Sequence, residues 1–290
     1  MAEKKKLSKG KIAAIVIASV IAFLLILAIV GGSIALHLYC KPKEYEITSI
    51  SETQNEINLI AHRGFSAMAP ENSAPAFEEA GKAKYWGAEC DIYRTLDGVW
   101  VVTHDIHTYR LMDENAFIEK KTFDELQEFT VDSGSNIDKY PDLKLTTLDE
   151  YLDICKKYNM KPIIELKGEN NTEHYDEVVN AVREKGLESE TYFISFHLEN
   201  LQKIYELTDV CPLWYLVKVI DDEKIAEAKT LGKNAGIDFD GNREKNTKEL
   251  VQKCADEGLA LGAWTIDDEE TMNRLISWGV TTITTNCLTY

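Results

Sequence analysis

The chain lacks any pair of cysteines in CxxC spacing. Its six, at positions 40, 90, 155, 211, 254 and 287, are scattered, which argues against a zinc cage. They are also too far apart, in too long a chain, to read as the staples of a small disulfide scaffold. Buried free thiols are expected instead. No glycine-rich phosphate loop follows the first apolar run of the polar part, which weighs against a dinucleotide fold. Basic residues are in short supply: 32 Lys and Arg stand against 49 Asp and Glu, for a net charge of −17. So acidic a chain repels phosphate backbones, and no nucleic-acid partner is expected. An anionic substrate would need a local cation to offset that field.

Asp, Glu, Lys and Arg are absent altogether from residues 12–40. Roughly 20 apolar residues cross a bilayer core, so this run is long enough. It is longer than the apolar region of a signal peptide, about 7–15 residues, which favours a retained transmembrane anchor. Tyr39 is too bulky for the small residue that a lipoprotein cleavage site needs before Cys40. Lys4, Lys5, Lys6, Lys9 and Lys11 precede the run, and positive charge stays cytoplasmic. The expected organisation is a cytoplasmic basic tail (1–11), a single-pass anchor in the cell membrane (12–40), a polar stalk (41–56) and an extracellular domain (57–290).

From Ile57 onward, short apolar runs alternate with amphipathic stretches. Strands are expected from Asn58, Ala88, Pro162, Tyr192, Leu213, Gly236, Leu259 and Thr281. Helices are expected over 73–84, 147–158, 174–185, 198–207, 222–231, 247–257 and 268–277. Thr147 with Glu150 three residues on is a capping-box signature. Strand–helix alternation implies a parallel sheet with helices outside, and eight strands suit a (β/α)₈ TIM barrel. An open doubly wound sheet is the alternative. Asp97-Gly98 breaks the alternation, because Asp-Gly is the favoured two-residue hairpin turn. Pairing Leu96 with Val99 sets Asp91 opposite His104, and Glu89, Asp91 and His104 then share one face.

Active sites of such barrels lie at the C-terminal ends of the strands. His62 follows the first strand, Glu89 and Asp91 end the second, Glu165 and Lys167 the third, and Trp264 the seventh. Glu89, Asp91 and Glu165 offer hard oxygen ligands, suited to Ca²⁺ or Mg²⁺. His62 and His104 are candidates for general base and general acid, because histidine titrates near neutrality; His107 is a possible stand-in for His104. Arg63 and Lys167 would bind phosphate oxygens, the arginine as a fork and the lysine as a point charge. Trp264 would wall the pocket, stack on a cationic head group, or serve only as core packing. The set suits metal-assisted attack on a phosphodiester.

These residues resemble the glycerophosphodiester phosphodiesterase family. The resemblance rests on His62-Arg63-Gly64, Pro70-Glu71-Asn72-Ser73, Glu89-Cys90-Asp91, His104-Asp105, Glu165-Leu166-Lys167 and Trp264-Thr265, in that order, over about residues 57–290. It implies a TIM barrel, a divalent metal, and hydrolysis of glycerophosphodiesters to an alcohol and glycerol 3-phosphate. It also implies that Glu89, Asp91 and Glu165 are metal ligands, that His62 and His104 are the acid–base pair, and that Arg63 and Lys167 contact phosphate. Three departures stand out. Ser73 replaces a threonine. Thr285-Asn286-Cys287-Leu288 stands where the family has Thr-Asp-x-Pro, and no helix is expected after the last strand.

Other readings of the same residues are an enzyme acting on lysophospholipid or a glycerol-phosphate polymer, a non-catalytic binding protein, and a domain whose acids hold Ca²⁺ for stability alone.

Overall fold

The computed structural model describes residues 10, 19–28, 30–31, 45–51, 57–168 and 171–290. The chain divides into two units, Met1–Pro42 and Lys43–Tyr290. In the first, residues 19–28 and 30–31 are helical and Val20, Phe23, Leu24 and Leu25 are exposed. Most of the expected anchor over 12–40 lies outside the described residues. Among those described, no helix is long and apolar enough to cross a membrane.

The second unit is the expected barrel. Eight parallel strands close on themselves: β2 (Asn58–Ala61), β3 (Gly87–Arg94), β6 (Lys161–Leu166), β7 (Tyr192–Ser195), β8 (Leu213–Val217), β9 (Ala235–Asp240), β10 (Ala260–Trp264) and β11 (Thr282–Thr285). β11 pairs with β2, and β2 with β3, so the ring has no open edge. Among the described residues, seven helices follow strands: α1 (Ala74–Lys82), α3 (Leu148–Tyr158), α4 (Tyr175–Glu184), α5 (Leu198–Leu207), α6 (Asp222–Lys229), α7 (Lys248–Asp256) and α8 (Glu269–Ile276). A short α2 (Phe123–Gln127) belongs to the excursion after the second barrel strand.

Local chemistry explains the boundaries. The Thr147 side chain accepts from Glu150 N at 3.2 Å, and the Glu150 carboxylate accepts from Thr147 N at 2.8 Å, which is the reciprocal capping box starting α3. Its far end stops at Asn159, which takes the left-handed conformation at φ 56° that asparagine tolerates. One face of α3, with Leu148, Tyr151, Leu152 and Cys155, is buried against the sheet. The Tyr151 hydroxyl donates to Ala88 O at 2.7 Å and accepts from Ile163 N at 2.9 Å, bridging β3 and β6. Inside the barrel a smaller apolar cluster forms from Ile60, Ile163, Ile194, Trp214 and Leu216. Cys90, Cys155, Cys211, Cys254 and Cys287 are buried free thiols.

The Asp-Gly hairpin forms, but its register differs from the expected one. Ile92 pairs with Val102 and Arg94 with Trp100 on β4 (Trp100–Val102). Asp91 therefore faces Thr103, whose N–H donates to Asp91 O at 2.9 Å. The turn has three residues, not two. Thr95 N donates to Val99 O at 2.8 Å, Gly98 N donates to Thr95 O at 3.1 Å, and Gly98 takes φ +93°. That extra residue is the glycine bulge common in three-residue hairpin loops, and it shifts every pairing by one. β4 ends at Val102, so His104 reaches the rim from the loop beyond the strand and not by pairing with Asp91.

Part of the expected stalk is also docked on the domain. β1 (Thr48–Ser49) lies parallel to β12 (Leu288–Thr289), and Ile50 is buried. The two-stranded ribbon follows β11 where the other barrel strands are followed by helices. β5 (Thr146–Thr147) pairs with β4 and leads into α3.

Candidate active site

The three acids come from neighbouring strands. Glu89 and Asp91 alternate on β3, with Cys90 between them turned outward into the core beside Tyr151. Glu165 on β6 pairs with Asp91. All three are buried, and one oxygen from each lies within 4.8 Å of the others. Asn72 Nδ2 donates to Asp91 Oδ2 at 2.8 Å, while Lys167 Nζ lies 3.2 Å from Asp91 Oδ1 and 2.9 Å from Glu165 Oε1. Arg63 N donates to Glu89 Oε2 at 2.8 Å.

Burial opposes ionisation of Asp91, but Lys167 and Arg63 outweigh it and hold its carboxyl well below the usual range. Burial, then the charges of Asp91 and Glu165, push Glu89 well above that range. Burial raises Glu165 to about 7 even with Lys167 beside it. Three carboxylates crowded in one buried place are a repulsive arrangement that a cation relieves. Asp91 Oδ1 is buried with the Lys167 ammonium 3.2 Å away. Hard oxygen donors in this number fit Ca²⁺ or Mg²⁺, with substrate or water completing the coordination.

A pH dependence follows from Glu165. An acid whose folded pKa is raised costs stability once the unfolded chain would ionise it. In the metal-free protein this group therefore takes away stability as pH rises from about 4.5 to 7. Metal binding needs the ionised form and gains over the same window. The rise in melting temperature on adding Ca²⁺ or Mg²⁺ to the full chain is expected to be larger at pH 8 than at pH 5.5. An equal rise at both would contradict this coupling.

The loop after β2 brings His62 and Arg63 to the same rim. Arg63 takes φ +56° and Gly64 φ +75°. A Cβ on Gly64 would sit 2.7 Å from the Ala76 backbone, so this loop packs against α1 only with glycine there. His62 Nδ1 donates to Asn286 Oδ1 at 2.8 Å, which leaves Nε2 as the acceptor nitrogen. Asn286 is itself fixed: its Oδ1 accepts from Ser66 Oγ at 2.9 Å, its Nδ2 donates to Asp267 Oδ2 at 2.7 Å, and its N–H to Asp267 Oδ1 at 2.8 Å. Burial, then the Arg63 charge, lower the imidazole to about 4, so His62 is neutral near pH 7.

His104 has a different kind of neighbour. Its Nδ1 lies 2.9 Å from Asp105 Oδ1, so a carboxylate holds the ring with a proton on that nitrogen. Asp105 Oδ2 accepts from Arg110 Nε at 2.8 Å. Both Arg110 terminal nitrogens donate to Glu71, at 2.8 and 2.7 Å, and Glu71 also accepts from Arg63 Nη1 at 2.7 Å. Burial opposes ionisation of Glu71, but the two guanidinium groups hold it down to about 2. Glu71 thus ties the His104 loop to the His62 loop through Arg110.

Trp264, ending β10, is half-buried and packs on the interior barrel cluster. Its Nε1 donates to Asp238 O at 3.1 Å, and its ring meets Phe196 edge-on at 5.4 Å. His62, Arg63, Glu89, Asp91, His104, Glu165 and Lys167 come together through the contacts above, with His104 an electrostatic neighbour of both Asp91 and Glu165. His107 packs edge-on against Tyr109 and Phe117.

Several residues without an assigned role in the sequence hold this site: Glu71, Asn72, Asp105, Arg110, Asn286 and Asp267. Asn72 and Glu71 stood in a quoted motif, where the signal was present but its purpose was not. Ser73 in the same motif N-caps α1, accepting from Ala76 N at 3.3 Å.

A parallel barrel with acids, histidines and cations converging at its C-terminal rim has the parts that phosphodiester cleavage needs: ligands for a cation, groups that move protons, and charges that hold phosphate. The model of the glycerophosphoryl diester phosphodiesterase family matches residues 62–288, and the chain belongs to that family. It is 29% identical over 252 residues to a glycerophosphodiester phosphodiesterase of Bacillus subtilis, covering 80% of this chain and 84% of the relative. A Caldanaerobacter subterraneus glycerophosphodiester phosphodiesterase is 28% identical over 233 residues, covering 79% and 93%. Among solved structures, an Oleispira antarctica phosphodiesterase in complex with the product sn-glycerol-3-phosphate superposes with TM-score 0.73 at 25% identity, over 82% of this chain and 96% of that one.

Proposed function

We propose that this chain hydrolyses glycerophosphodiesters to an alcohol and glycerol 3-phosphate, with a divalent cation held by Glu89, Asp91 and Glu165. The observation that carries the reading is the unlike pair of histidines flanking the acids, one held by a neutral amide and the other by a carboxylate. A bound ion would supply Lewis-acid charge withdrawal from the phosphoryl oxygens. Neutral His62, with Nδ1 engaged by Asn286, takes through Nε2 the proton of the attacking hydroxyl, from water or from the substrate's own glycerol. His104 gives a proton to the departing alkoxide as the phosphorus–oxygen bond breaks. Arg63 and Lys167 hold phosphate oxygens, and Trp264 walls the pocket. We further propose that residues 12–40 anchor the protein in the cell membrane with the catalytic domain outside, as their length and the preceding lysines favour.

The test is release of glycerol 3-phosphate from glycerophosphocholine by the full chain after chelation, followed by add-back of Ca²⁺ or Mg²⁺. Release restored by one ion supports the reading and identifies that ion. Release undiminished by chelation would overturn the metal. No release from a folded protein with either ion would overturn glycerophosphocholine as substrate and favour a lysophospholipid, or binding without turnover.

A further inference from the structure

The ribbon of β1 and β12 has a direction, and that direction brings a residue to the active site. β11 ends at Thr285 on the catalytic rim, where Asn286 meets His62. By Tyr290 the chain has reached the opposite end of the barrel. The Tyr290 hydroxyl donates to Ile57 O at 2.7 Å and accepts from Leu59 N at 2.9 Å, at the start of β2. β12 therefore runs from rim to base. β1 is parallel to it, in the register Thr48 with Leu288 and Ser49 with Thr289. Thr48 N donates to Cys287 O at 3.1 Å, and Ile50 N to Thr289 O at 2.8 Å. Followed backwards from Thr48, the chain climbs to the catalytic rim beside residues 285–287.

Tyr45 stands at that upper end. It is half-buried, within electrostatic reach of Asp267, Glu71, Arg63 and Cys287, and burial pushes its phenol up to about 12. Three of those neighbours belong to the network that holds His62 and Arg63. A neutral phenol there is a hydrogen-bond donor within electrostatic reach of the Arg63 guanidinium, a combination suited to phosphate and polyol oxygens.

We propose that Tyr45 is a substrate-contacting residue, which the β1 strap carries to the rim to bind the glycerol phosphate half common to all substrates. The proposal rests on the glycerophosphodiester reading of this site. It adds to the site a residue that precedes the first barrel strand and lies outside the span matched by the family model, residues 62–288.

The experiment uses the full chain with Tyr45→Phe, Tyr45→Ala and Ile50→Ala. Affinity for glycerol 3-phosphate is measured by calorimetry with the activating ion present. KM and kcat are measured for glycerophosphocholine and glycerophosphoglycerol. Loss of one neutral hydrogen bond predicts that Tyr45→Phe weakens glycerol 3-phosphate binding about three- to tenfold. KM should rise by a similar factor for both substrates, with kcat within about twofold and the melting temperature unchanged. Tyr45→Ala should weaken binding further. Ile50→Ala, which loosens the strap, should lower the melting temperature and weaken binding together. Wild-type affinity and KM in both Tyr45 variants would overturn the proposal while leaving the function intact. So would an effect of Tyr45→Phe that tracks a loss of melting temperature. A wild-type protein that neither binds glycerol 3-phosphate nor releases it would overturn both.

Discussion

Asp91→Asn is expected to lower kcat/KM by about a thousandfold or more, because a Lewis-acid ion contributes several kcal/mol at a transferring phosphoryl group and each 1.4 kcal/mol is tenfold. Asp91 is the acid of the three whose charge is favoured most. Lys167 and Arg63 hold it ionised while Glu89 and Glu165 are pushed the other way. Asparagine keeps the shape and can still meet Asn72, so the fold should survive. The melting-temperature rise on adding Ca²⁺ or Mg²⁺ should shrink with activity, since ligand stabilisation follows affinity. A variant with activity within tenfold of wild type, and a full metal-induced shift, would remove Asp91 from the proposed ligand set.

His62→Ala is expected to lower kcat by about 10²–10⁴-fold, the range for a positioned general base, with KM little changed. The companion Asn286→Asp tests the role as well as the site. A carboxylate facing Nδ1 favours the charged imidazole, so it should raise the His62 pKa. The acid limb of kcat/KM, set by the base that must be unprotonated, should then move to higher pH. His62→Ala should flatten that limb. A limb that stays in place in Asn286→Asp would mean that a different group is the base. A small change in kcat for His62→Ala would mean the same.

The alternation of strand and helix was legible because each barrel strand needs an apolar run and each covering helix a repeating apolar face. The starts of β7 at Tyr192 and β8 at Leu213 were read to the residue, and the capping box at Thr147 named its own partner. The acids were legible for the same geometric reason, at matching strand ends. The hairpin register was not, because Asp-Gly is compatible with both two- and three-residue loops, and only the left-handed Gly98 with its N–H on Thr95 decides between them. Arg110 left no local signal at all. Its meaning is its reach to Glu71, 39 residues away, and contacts across such a gap carry no periodicity. The docked strap escaped notice because two-residue strands are too short to alternate, so residues 41–56 read as a plain linker.

The clasp between the ends of the barrel domain also sets when this protein can fold. The bonds from Tyr290 reach back 231 and 233 residues to Leu59 and Ile57, and β2 finds its neighbour β11 only after all the intervening barrel strands have been synthesised. At about 5–20 residues per second, β2 waits roughly 10 to 50 seconds with one edge unpaired. An open edge of apolar strand is a template for pairing with other chains. Nascent chains of this protein are thus exposed to aggregation until β11 emerges. A chaperone that shields β2 during that interval should raise the yield of soluble protein more than one acting after release.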